Sequence, residues 1–199
     1  MFDHVFTDAI SAVRQAFDGA LLERQAIEER FQMDMLLGDI TWDTSYGLPG
    51  EGNPPRVQAH ISFVWPTWSQ TAFRAWYTEG ELDELPSIEM EVVFRVQRLV
   101  QLPEPDRILQ SLPSAGPPMG GAPLARSAAS TETLLGTPAH HAMEVVYDGS
   151  YILTEETLAD GTSTMLDRHM AALGGWISSA LVRLGDVPAL FHPPDEDDN

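Results

Sequence analysis

The sequence predicts an α+β fold, with a single antiparallel sheet of five to six strands and N- and C-terminal helices packed on one face of it. Three observations predict it. Apolar and polar residues alternate from Phe31, from Val57 and from Ile88, which is strand period. Apolar residues recur at steps of three and four near both ends of the chain, which is helical period. The alternating strands carry polar residues on one side, which implies a sheet covered on one face only. The expected order is helix, three or four strands, short helix, long loop, two strands, helix. It fills one domain over residues 1–192, with an acidic disordered tail over 193–199.

The first helix is expected from Asp3, a suitable N-cap, to about Glu29, with Phe6, Ile10, Val13, Phe17 and Leu21 on one face. From Phe31 the period becomes two. It slips after Gly38, where Ile40 and Trp42 take over, which predicts a bulge. YGLPGEGNPP, 46–55, reads as a turn-rich loop. Val57, Ala59, Ile61, Phe63 and Trp65 then share one face of a strand, opposite Gln58, His60 and Ser62, until Pro66 stops it. The aromatic and threonine content of 68–78 favours another strand over a helical stripe of Trp68, Ala72, Ala75 and Trp76. GELDELP, 80–86, is an acidic turn.

Ile88 to Leu99 is the clearest strand. Ile88, Met90, Val92, Phe94 and Val96 face one way, and Glu89, Glu91, Val93, Arg95 and Gln97 the other. A short helix is expected over Asp106–Leu112, behind Pro105. Residues 113–139 are rich in Gly, Pro, Ala and Ser without periodicity and read as a flexible loop. Met143–Tyr147 and Ser150–Leu158 flank Asp148-Gly149, the signature of a type I′ hairpin. After Asp160-Gly161, Thr162 or Ser163 caps a last helix to about Leu184. Its stripe is Leu166, Met170, Leu173, Ile177, Leu181 and Leu184.

Composition narrows the function. Cysteine is absent, which removes disulfides, thiol catalysis and thiolate metal sites. Lysine is absent too: all eleven basic residues are arginine, the usage of a GC-rich, bacterial coding sequence. A standard P-loop and Schiff-base chemistry therefore have no lysine to use. GxGxxG, HExxH, GxSxG, SxxK and EF-hand patterns are missing. Asp3 and Asp8 stand where a signal peptide would be basic, and no apolar run approaches the length of a membrane span, so a cytoplasmic protein is expected. The formal charge of −19 disfavours nucleic acid and anionic membranes. It fits simple solubility, a basic partner, or mimicry of DNA.

Few residues carry chemical promise. His140-His141 is an adjacent pair, and neighbours on a strand point to opposite faces, so the pair does not chelate one metal. Glu89 and Glu91 share a face; paired carboxylates can split their pKa values for acid–base work, and they also suit a solvated strand. The aromatic run FVWPTWSQTAFRAWY divides at Pro66. Phe63 and Trp65 belong to the strand core, and Trp68, Phe73, Arg74, Trp76 and Tyr77 are the candidate partner-binding residues. Exposed Trp, Tyr and Arg are the types enriched at binding hot spots. No metal and no cofactor is expected.

In element order and acidity, outside 113–139, the chain resembles the secretion-chaperone-like fold, which includes the type III secretion chaperones and YbjN-type proteins. The extra strand at 68–77 and the long insertion depart from that pattern. The resemblance implies a small, commonly dimeric cytoplasmic protein that binds protein partners and does not catalyse. The function expected is therefore a non-enzymatic protein-binding protein (a chaperone, adaptor or assembly component) acting through a sheet or aromatic surface on another protein, a basic one among the candidates. A homodimer or larger assembly is expected, with no direct nucleic acid and no membrane. A small-molecule-binding or enzymatic cup around His140, His141 or Glu89/Glu91 is the alternative, and an acidic DNA mimic the third reading.

Overall fold

The computed structural model describes residues 27–36, 38–79, 85–136, 138–154 and 164–193. The elements are β1 (Ile27–Leu36), β2 (Asp39–Gly47), β3 (Val57–Trp65), α1 (Thr67–Glu79), β4 (Ser87–Leu99), α2 (Pro105–Ser111), β5 (Ala115–Pro118), β6 (Pro123–Leu134), β7 (His140–Ile152) and α3 (Thr164–Gly185). The strands form one antiparallel sheet in the order β1-β2-β3-β4-β7-β6-β5. It curls into a half-barrel. Register shifts at Glu28/Arg30, Val96/Leu99 and Arg126/Ala128 accompany the curl, since a bulge bends its strand and adds local twist.

Strand alternation builds the core. Val57, Ala59, Ile61, Phe63 and Trp65 of β3 are all fully buried, as are Ile88 and Val92 of β4 and Tyr147 of β7. Met170, Leu173, Ile177, Leu181 and Leu184 of α3 close over the same face, and α3 packs against β3, β5 and α2. Phe94, Tyr147 and Trp176 meet edge to face, with centroids 5.0–5.9 Å apart. The loop between β2 and β3 is held by its own carboxylate. Glu51 is buried and accepts from the Arg56 guanidinium and from the Val57 N–H, both at 2.9 Å.

The predicted α+β arrangement is corrected here: the fold is dominated by its sheet, which takes up segments expected elsewhere. The first helix was expected to reach Glu29, but β1 begins at Ile27; residues 1–26 lie outside the described set. The slip at Gly38 is a turn. Gly38 has φ +91°, and Leu36 pairs with Asp39 across it.

Residues 68–78 form helix α1, not a strand. Asp39, 28 residues upstream, accepts at Oδ1 from the Thr67 N–H and hydroxyl, at 2.6 and 2.7 Å, and these two bonds hold its carboxyl below the ordinary value. Ser69 accepts from the Trp65 indole N–H at 3.1 Å and donates to the Ser87 carbonyl at 2.6 Å, which fixes α1 between β3 and β4.

The 113–139 segment is not a flexible loop: it supplies β5 and β6. Nor does Asp148-Gly149 turn the chain, because β7 runs straight through it, paired with β4 on one side and β6 on the other. The glycine serves packing. A Cβ on Gly149 would lie 2.6 Å from Leu124 Cδ2, and Leu124 is fully buried against this strand.

Candidate functional site: the open face of the sheet

The side chains that alternate with the core point to the other face of the sheet. Register places Asp43, Ser62, Glu91 and Asp148 in one row across β2, β3, β4 and β7. The next row holds Ser45, His60, Val93 and Val146, and the one after it Gln58, Arg95, Glu144 and Ser130. On the opposite flank Val64 faces Glu89, and Glu89 faces Ser150. Two depressions follow these rows. One, of about 470 Å³, is lined by Ser62, Val64, Glu89, Met90, Glu91, Asp148 and Gly149. The other, of about 280 Å³, is lined by Ser45, Gln58, His60, Val93, Arg95 and Glu144.

Charge is distributed unevenly over this face. Arg95 is engaged, pairing with Glu132 of β6 and Glu144 of β7. His60 bridges its neighbours, with Nδ1 3.0 Å from Ser45 Oγ and Nε2 3.6 Å from Asp43 Oδ1. Glu91 and Asp148 stand directly opposite each other with the same charge, and among the described residues neither forms an ion pair. Like charges at opposed positions destabilise a sheet. Partial burial first, and then the Asp148 carboxylate, raise the Glu91 carboxyl above its ordinary value. Asp43 and Glu144 push the same way, and His60 opposes them.

The sign of this shift sets a pH dependence. A carboxyl whose pKa is raised on folding holds its proton more tightly in the folded state. That contribution is complete below the unfolded value and is lost as pH rises through the folded one. Glu91→Gln is therefore expected to raise the urea midpoint at about pH 7, with its advantage over wild type shrinking towards about pH 4. A variant no more stable at neutral pH, or an advantage that grows on acidification, would contradict this placement of Glu91.

The structure separates the expected partner-binding residues. Phe73 is buried, edge to face with Trp65 at 5.6 Å. Trp76 is half-buried and tilted against Phe73 at 5.5 Å, Trp68 is 44 % exposed and Arg74 exposed. The Tyr77 side chain lies outside the described set. His140 and His141 open β7 on opposite faces, and His141 Nδ1 lies 2.9 Å from the Thr133 hydroxyl. Among the described residues no group of three or more His, Asp or Glu side chains is placed to hold a metal ion. No described helix is long and apolar enough to cross a membrane.

Sequence reasoning puts Glu89, Glu91 and Arg95 on one face, and His60 and Ser62 on the polar side of their strand. It misses Asp43 and Asp148. The Asp43 signal was present, one residue from Trp42 in an alternating run. Asp148 was hidden by the turn signature of Asp-Gly. The juxtaposition of Glu91 with Asp148 depends on register, which no local pattern states. No family model, curated protein or solved structure matches this chain.

Proposed function

We propose that this chain is a non-enzymatic protein-binding protein, of chaperone, adaptor or assembly type, whose open sheet face takes an arginine- or lysine-rich segment of its partner. The observation that carries the reading is the Glu91–Asp148 opposition, with Asp43 in the same row. His60 is the one neighbour in the row's surroundings that offsets these carboxylates, and no ion pair joins Glu91 or Asp148 among the described residues. Such a departure from sheet rules fits a functional surface, because a bound cation supplies the missing counter-charge. The net charge of −19 speaks for a basic partner and against nucleic acid. The aromatic side chains that a small-molecule cup would use for apolar contact, Trp42, Phe63 and Trp65, are buried on the other face, and none lines either depression.

Co-purification from native lysate tests it. The wild-type chain is expected to retain a stoichiometric basic protein, and the triple variant Asp43→Asn/Glu91→Gln/Asp148→Asn to fold and lose it. A folded triple variant that retains the same protein at the same yield would place the binding surface elsewhere.

A further inference from the structure

We infer that β6 is the seam of a homodimer, in which the free edges of two copies of the chain pair with each other into one continuous sheet. This goes beyond the partner-binding reading and uses no residue of the carboxylate row.

β6 departs from every other strand whose side chains are described. Its residues from Ser127 to Thr133 are exposed on both faces. One edge pairs with β7 over Ala125–Leu134; the other meets only β5, through Ala115↔Ala125 and Pro118↔Pro123. Beyond Ala125, among the described residues, that edge has no backbone partner. A row of unpaired N–H and C=O groups is a template for another strand, and proteins guard such edges with lysine, proline, inward charges or very short strands. From Ser127 to Thr133 the sequence is SAASTET, without lysine or proline; its one charge is Glu132, and the register shift at Arg126/Ala128 lies at its start and leaves the rest of the edge regular.

The local charge identifies the occupant. A chain of net charge −19 resists its own copy over most of its surface. The Ser127–Thr133 stretch carries one charge, Glu132, and Arg95 of β4 already pairs with it. The small side chains of Ser127, Ala128, Ala129 and Ser130 allow close antiparallel approach on both faces. Two copies thus meet here without the repulsion they meet elsewhere. An isologous edge-to-edge contact also closes on itself and leaves no further β6 edge to extend.

Solution mass by light scattering decides it. At about 100 µM the wild-type chain is expected at twice its 21.9 kDa. The variant Ala129→Glu/Thr131→Glu, which sets like charges across the two-fold, is expected at 21.9 kDa with an unchanged far-ultraviolet spectrum. A monomeric wild type overturns the proposal, and so does a folded variant that stays at twice the mass. If the variant does not fold, hydrogen exchange of wild type at two concentrations decides. Slower exchange of amides 127–133 in the concentrated sample supports the seam, and equal exchange overturns it. Loss of the basic partner in the carboxylate variant moves none of these readouts, so the two proposals fail separately.

Discussion

Phe63→Ala is expected to cost about 3–5 kcal/mol of folding stability, the range for removing a fully buried aromatic side chain. Phe63 has no exposed surface and sits two residues before the end of β3, opposite Trp42 of β2 and Met90 of β4. Its ring stacks on Trp42 with centroids 4.7 Å apart and planes 12° from parallel. The substitution removes the ring from water-free packing, leaves a cavity between three strands and ends the stacking contact, worth roughly another 0.5–1.5 kcal/mol where the neighbours cannot close in. Urea denaturation followed by tryptophan emission measures it. Phe63→Leu, which retains much of the volume, is expected to lose distinctly less. Equal losses from the two variants would show that the site collapses freely.

Arg126→Leu is expected to destabilise by about 2–4 kcal/mol, because a guanidinium that serves several carbonyls takes a donor from each of them when it goes. Arg126 lies opposite Tyr147 in the β6–β7 ladder. Its Nη2 donates to the carbonyls of Leu112 at 2.9 Å and Pro113 at 2.8 Å and reaches that of Leu109 at 3.3 Å. Its Nε donates to the Tyr147 hydroxyl at 3.2 Å, and its Cζ lies 5.6 Å from that ring's centre. Tyr147 in turn donates to the Pro113 carbonyl at 2.5 Å. One side chain thus ties the end of α2, the start of the β5–β6 segment and the aromatic cluster under α3. Tyr147→Phe is expected to cost less, and the double variant less than the sum of the singles, because both residues serve the Pro113 carbonyl. Strict additivity in that cycle would contradict a shared network.

Parts of the fold were legible where local pattern and burial coincide. Alternation over Val57–Trp65 and Ile88–Val96 matches their one-sided burial, and the stripe from Leu166 to Leu184 faces the sheet as its period requires. The misreadings share a cause: information that decides the element is held by a distant residue. α1 looks strand-like from its aromatics, yet its N-terminus is secured by Asp39, and its buried side is Ser69 and Phe73, with Trp76 beside them. β6 has no alternation to find, because neither face of it is buried beyond Arg126; β7 and the Arg126 clamp hold it in place. Gly149 resembles a turn glycine because Leu124, which excludes its Cβ, lies 25 residues earlier. Half of the candidate site was likewise visible as the Glu89–Glu91 face. The carboxylate opposite Glu91 came only with register.

The open face is tested most directly by titrating the isotopically labelled chain with a short arginine-rich peptide and following backbone amide shifts. Changes are expected to be centred on Asp43, Ser62, Glu91 and Asp148, and to weaken as salt rises, since exposed charge pairs are screened within about 10 Å at 0.1 M ionic strength. They are expected to vanish in Asp43→Asn/Glu91→Gln/Asp148→Asn. Shifts that fall instead on α1 around Trp68 and Arg74, or that persist in the neutralised variant, would contradict a partner site on the sheet.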